Sequence, residues 1–143
     1  MDNAASNTRT IPSSLSAALE VQQQLLDEVQ ARGFRQECLF AIRLALDEAL
    51  ANAVRHGNDN DPDKQLSIMW SITDDRVTIS VEDEGHGFNP DGLPDPTLEE
   101  NLTRPHGRGV MLMNAYMTRV SFNRRGNRVT LVKDRECKLP HAD

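Results

Sequence analysis

The chain has 143 residues, 38% of them apolar and 27% charged, which suits one soluble globular domain with a core of its own. Its formal charge of −6 excludes the dense basic surface that a phosphate backbone demands, so no direct nucleic-acid contact is expected. Met1–Thr10 is polar with no apolar h-region, and no apolar run is long enough to span a bilayer, so the expectation is a cytoplasmic protein with no membrane partner.

In chain order, residues 1–8 read as a flexible tail and Arg9–Pro12 as a short edge strand. Ser13 or Ser14 then caps a helix that runs to about Arg32 and stops at Gly33, with Leu15, Ala18, Leu19, Leu25, Leu26 and Val29 on its apolar side. A second helix is predicted from Arg35 to His56, stopped by Gly57. Leu39, Ile42, Leu46, Ala49, Leu50 and Ala53 fall on one of its faces; Ala41, Leu44, Ala45, Glu48, Asn52 and Arg55 fall on the other. Neither face reads as solvated, so this helix is expected to be covered on both sides. A carboxylate and a carboxamide on a covered face need partners, which a ligand would supply.

Asn58–Lys64 is a turn-rich loop. Gln65–Thr73 and Arg76–Glu82 alternate in the β manner around Asp74-Asp75, which reads as a hairpin, and Trp70 reads as a core residue. Phe88–His106 is irregular and holds four of the seven prolines; five of the eight glycines lie between Gly85 and Gly109. Glycine at both margins of a long loop favours a lid. A short helix follows at about Arg108–Tyr116, with Met111, Met113 and Met117 read as packing residues. A second hairpin, Thr118–Asn123 and Asn127–Lys133, flanks Gly126. Residues 135–143 read as a tail. Cys38 and Cys137 lack CxxC spacing and are expected as two reduced thiols, and no pair of histidines has zinc spacing.

Three elements carry chemistry. Glu48 and Asn52, one helical turn apart, project side by side: Glu48 is a candidate general base and Asn52 a candidate oxygen ligand for Mg²⁺. The plain alternative for that pair is an exposed helix surface. Asp83 closes a strand ahead of Gly85 and Gly87. A carboxylate there can accept from the exocyclic amine of adenine and reject guanine, while the glycines admit close ligand approach; an ordinary turn is the competing reading. Gly107, Arg108 and Gly109 open a helix, where bare backbone N–H groups bind anions. The Walker pattern GxxxxGK[ST] does not occur. His86 reads as a solvated loop residue, and Thr130 either as a strand threonine or as a hydrogen-bonding group near adenine.

The ordered trio resembles the GHKL ATPase superfamily of gyrase, Hsp90, histidine kinase and MutL types. LALDEALANAVRHGN resembles its N box, EDEGHGF its G1 box and HGRGVMLM its G2 box. Within it, EALANAVRHGN and GRGVMLMNAYMTRVSF…GNRVTLVK resemble the bacterial anti-sigma-factor serine kinases of the RsbW and SpoIIAB type, over about residues 10 to 134. The resemblance implies the Bergerat fold, an α/β (α+β) two-layer sandwich of a mixed, mostly antiparallel sheet with helices on one face, occupying residues 9–134. It implies Glu48 as general base, Asn52 on magnesium, Asp83 at adenine with Gly85 and Gly87 shaping the pocket, Gly107, Arg108 and Gly109 at the phosphates, and Thr130 loosely near adenine. ATP and Mg²⁺ are the implied cofactors. The implied partners are a sigma factor, an anti-anti-sigma antagonist as phosphorylation substrate, and a second copy in a homodimer.

Two other readings stand beside the kinase: a non-catalytic ATP-binding interaction module that acts by sequestration, and a stand-alone histidine-kinase-type ATPase domain. Nothing in the chain supplies a gyrase transducer or a phosphoacceptor helix pair, so a self-sufficient gyrase, Hsp90 or sensor kinase is not expected.

Overall fold

Alternation of apolar and polar residues gives strands β2 (Gln65–Ile72) and β3 (Arg76–Glu82) one buried face each. They pair antiparallel, and the turn between them closes with Thr73 N–H donating to the Arg76 carbonyl at 2.9 Å. The computed structural model describes residues 5–85, 105–124 and 126–137. Outside β2 and β3 lie β1 (Ala5–Pro12), β4 (Arg119–Phe122) and β5 (Arg128–Asp134), in the sheet order β1-β2-β3-β5-β4. Every pairing among the described residues is antiparallel, where the expectation allowed for a mixed sheet.

The described residues form three α-helices as well: α1 (Leu15–Ala31), α2 (Gln36–Asn52) and α3 (Pro105–Tyr116). Ser14 caps α1 through its hydroxyl, which accepts from Ala17 N–H at 3.3 Å, and Gly33 ends it with a φ of +82°. α2 packs against α1 on one side and α3 on the other, and both α1 and α2 touch the sheet. The core sits between the layers: Leu66, Ile68, Trp70, Ile72, Val77, Ile79, Val81 and Leu131 point up at Val21, Leu25, Val29, Ile42, Leu46 and Leu50. The alternate residues, among them Thr78, Ser80, Glu82 and Thr130, lie on the other face of the sheet and are half-buried. Helices on one face of an antiparallel sheet make the two-layer architecture that was expected.

Both faces of α2 are covered over most of its length, since Ala41 and Ala45 are as buried as Ile42 and Leu46. Met113 and Met117 pack inward, Met111 faces out, and Leu19, expected in the core, is 44% exposed.

Two expected tails are shorter than the sequence suggested. β1 starts at Ala5, because pairing with β2 from Ala5↔Ile72 to Pro12↔Gln65 satisfies a backbone whose polar side chains gave no strand signal. Asn7 Nδ2 also donates to Glu28 of α1 at 2.8 Å. The Glu28 carboxylate accepts from the indole N–H of the buried Trp70 at 3.0 Å as well. At the other end, residues 135–137 pack down. The Arg135 guanidinium stacks over Phe34 at 4.6 Å and donates to the Arg32 and Gly33 carbonyls.

That return brings Cys137 beside Cys38 at the start of α2, with 5.2 Å between Cα atoms across 99 residues of sequence, a separation that a disulfide can span. Spacing alone had suggested unrelated thiols; chain reversal after β5 is what brings them together. Lys133, in the inward row of β5, is fully buried, and its ammonium donates to the Tyr116 carbonyl at 2.6 Å. Carbonyls at a helix C-terminus lack helical partners and favour a cation, which accounts for a lysine in the core. Burial pushes its pKa below the usual lysine value of 10.5, against a smaller opposing pull from Asp134.

Candidate functional site

The last turns of α2 carry Glu48 and Asn52, both half-buried, on the side of the helix that also presents Ala41 and Ala45. At Ala53 the helix widens into a π-helical turn, Ala53–Gly57, closed by Asn58 N–H donating to the Ala53 carbonyl at 2.9 Å. Such turns are rare and are frequently found at functional sites. Here it carries the end of α2 across to the end of β3.

Asp83 is the first residue after β3. Its alternation puts it on the helix side of the sheet, directly under Gly57. A methyl group built on Gly57 would come within 2.1 Å of Asp83 Oδ2, and one on Gly85 within 1.8 Å of the Gly57 carbonyl oxygen. Only glycine permits two backbones and a carboxylate to meet at this range. The Asp83 carboxylate accepts from Gly85 N–H at 2.8 Å. Its backbone is held from β5 by Asn127: Asp83 N–H donates to the Asn127 carbonyl at 2.9 Å, and Asn127 Nδ2 donates back to the Asp83 carbonyl at 3.0 Å.

Of the residues singled out by sequence, the structure therefore brings Asp83 and Gly85 against the turn that continues the Glu48–Asn52 helix. Gly107, Arg108 and Gly109 lie inside the first turns of α3, which begins at Pro105, three residues before the predicted start. Proline suits a first helical position, since its missing N–H has no helical partner there. α3 runs beside α2. His86, Gly87 and the expected lid as far as residue 104 lie outside the described residues, while Pro105 and His106, expected at its end, are helical.

Thr130 lies on β5. The β3–β5 register sets it opposite Ser80, where the two hydroxyls meet at 3.0 Å on the sheet face away from the helices, while Asp83 looks to the other face. The residue of this hairpin that bonds Asp83 is Asn127, which sequence reasoning passed over; its signal was its place just after Gly126, across from the strand end. Gly57 was missed too, being read only as a helix stop.

The chemistry of this donor set fits a purine nucleotide with magnesium. Asp83, seated by the close approach of Gly57 and Gly85, offers a carboxylate to an amine, and Asn52 offers an amide oxygen to a hard cation. Among the described residues no group of three or more His, Cys, Asp or Glu could hold a metal ion.

The family model for the histidine kinase-like ATPase domain matches residues 11–133 of this chain. The serine-protein kinase RsbW of Oceanobacillus iheyensis is 29% identical over 97 residues, covering 64% of this chain and 61% of the relative. The RsbW of Bacillus subtilis is 29% identical over 108 residues, 71% of this chain and 68% of the relative. An anti-sigma F factor of Clostridium perfringens is 33% identical over 99 residues, 67% of this chain and 70% of the relative. The chain thus spans 61–70% of the length of these relatives.

Proposed function

The chain belongs to the histidine kinase-like ATPase domain family, and from that premise we propose that it is an ATP-dependent serine/threonine-protein kinase acting as an anti-sigma factor. It sequesters a sigma factor and phosphorylates an anti-anti-sigma antagonist. The observation that carries this reading is the junction of the α2 end with the β3 end, where Gly57 and Gly85 close on the Asp83 carboxylate. The names of its relatives, serine-protein kinase and anti-sigma F factor, supply the two halves of the activity.

In this reading Asp83 accepts the exocyclic amine of adenine, and guanine, which offers a carbonyl there, is refused. Backbone N–H groups around Gly107, Arg108 and Gly109 at the start of α3 donate to phosphate oxygens. Asn52 is the chain's ligand for Mg²⁺, which when bound neutralises charge on the phosphates. Glu48, one turn before Asn52, takes the proton from the antagonist's hydroxyl as its oxygen attacks the terminal phosphorus and ADP leaves. The product carries about −1.5 to −2 extra charge, enough to eject the antagonist and return the kinase to its sigma factor. A homodimer in the cytoplasm, with no contact to DNA or membrane, completes the proposal. No helix of the described residues is long and apolar enough to cross a membrane.

Incubation with labelled ATP and a small antagonist protein tests it. Label on a serine or threonine of the partner is the expected result. No label across several partners would favour the sequestering module, and an acid-labile product would favour the histidine-kinase type.

A further inference from the structure

The loop end Gly57-Asn58 meets the loop start Asp83-Glu84-Gly85, and one buried side chain ties them together. Asn58 is 0% exposed. Its Nδ2 donates to Ser13 Oγ and to the Gln65 carbonyl, both at 3.0 Å, and its Oδ1 accepts from Glu84 N–H at 2.8 Å. The orientation of the amide is forced, because a carbonyl needs the NH₂ end and an N–H needs the oxygen. Three elements therefore converge on one carboxamide: the β1–α1 turn, the first residue of β2 and the segment leaving β3. A second bond closes the same ring, as Gln65 N–H donates to the Glu84 carboxylate.

We propose that Asn58 is the positioning residue that fixes Asp83 for adenine and so sets the preference for adenine over guanine nucleotides. This rests on the reading of Asp83 as the adenine acceptor. Asn127 holds the backbone of Asp83 from the β5 side. Asn58 holds the very next peptide from the α2 side, and Gly57 brings the helix end against the carboxylate. Gripped at both flanks, the carboxylate cannot swing to accommodate a carbonyl. A polar site that holds still makes the wrong ligand bear the full cost of an unpaired, repelled oxygen. With Asn58 shortened, Glu84 N–H loses its acceptor and the segment 83–85 gains freedom on that side. The carboxylate can then turn away from guanine, so adenine binding weakens while guanine binding suffers little.

The test is calorimetric titration of the whole chain with ATP and with GTP, each with magnesium, for the wild type, Asn58→Ala and Asp83→Asn. The expected result is that Asn58→Ala lowers the ratio of GTP to ATP dissociation constants at least about tenfold. A merely structural loss of stability would reduce the competent fraction for both nucleotides and leave that ratio alone. Asp83→Asn losing selectivity while Asn58→Ala keeps it overturns the role of Asn58 and leaves the nucleotide reading standing. Wild-type protein that takes up neither nucleotide, or Asp83→Asn as selective as wild type, overturns the nucleotide reading and this inference with it. Should Asn58→Ala fail to fold, hydrogen exchange on the wild type decides instead: the Glu84 amide must exchange as slowly as amides of β3, and fast exchange overturns the clasp.

Discussion

Replacing Gly57 by alanine tests the approach of the α2 end to the Asp83 carboxylate. Gly57 has no left-handed φ, so its backbone accepts alanine, and in a helical turn the change alone would stabilise by about 0.5–1 kcal/mol. Space is the obstacle. The new Cβ would stand 2.1 Å from Asp83 Oδ2, 2.3 Å from Cγ and 2.7 Å from Oδ1, where ordinary contact begins at 3.4 Å. The carboxylate must therefore retreat by about 1.3 Å. Such a shift takes it out of hydrogen-bond range of Gly85 N–H, now at 2.8 Å, and out of line with an adenine amine. A lost hydrogen bond to a charged group is worth about 1.5–3 kcal/mol, which is roughly 10- to 150-fold in ATP affinity. Calorimetry with ATP and magnesium reads the affinity, and thermal unfolding confirms that the variant is folded. A folded Gly57→Ala protein that binds ATP within twofold of wild type would refute the argument, since Asp83 would then not be where recognition happens.

Glu48→Gln is expected to keep ATP binding while phosphoryl transfer to a partner hydroxyl falls by about 10²- to 10⁴-fold in a single-turnover assay; equal loss of both would remove Glu48 from the base role. Glu28→Ala leaves the buried indole N–H of Trp70 and the Asn7 amide without their acceptor, and should cost about 1–3 kcal/mol in urea unfolding, with Glu28→Gln recovering part of it. Lys133 supplies a pH test. Because burial lowers its pKa in the folded chain, the unfolded chain binds more protons between that lowered value and 10.5, so wild-type stability should rise with pH over this window. Lys133→Met should flatten that rise in denaturant titrations at stepped pH, and an unchanged slope would mean the ammonium is not desolvated.

What the sequence made legible follows from what is local. The strand Arg76–Glu82 matches its predicted bounds because alternation and the Asp74-Asp75 turn are both short-range signals. Ser14 and Gly33 mark α1 for the same reason, and the helical spacing of Glu48 and Asn52 needs no tertiary knowledge. The failures are all of partnership. Ala5–Thr8 carries no apolar alternation and becomes strand only because β2, some sixty residues on, offers it a ladder. The antiparallel register with β3 sets the Thr130 hydroxyl against Ser80, a pairing that no local signal shows. Asn58 and Gly57 looked like a turn signal, and their second task, to meet Asp83, depends on a segment more than twenty residues away.

The sheet order also says something about how the domain comes into being. β5 lies between β3 and β4, yet among the described strands it comes last along the chain. As residues emerge from the ribosome at about 5–20 per second, β1, β2 and β3 can assemble while β4 waits alone. Only when Arg128–Asp134 threads into the gap does the hairpin with β4 dock, and with it Asn127 closes on Asp83. The nascent chain thus lacks the Asn127 hold on Asp83 until translation has passed that point, and a stalled or clipped product would leave β3 as a raw border open to self-association.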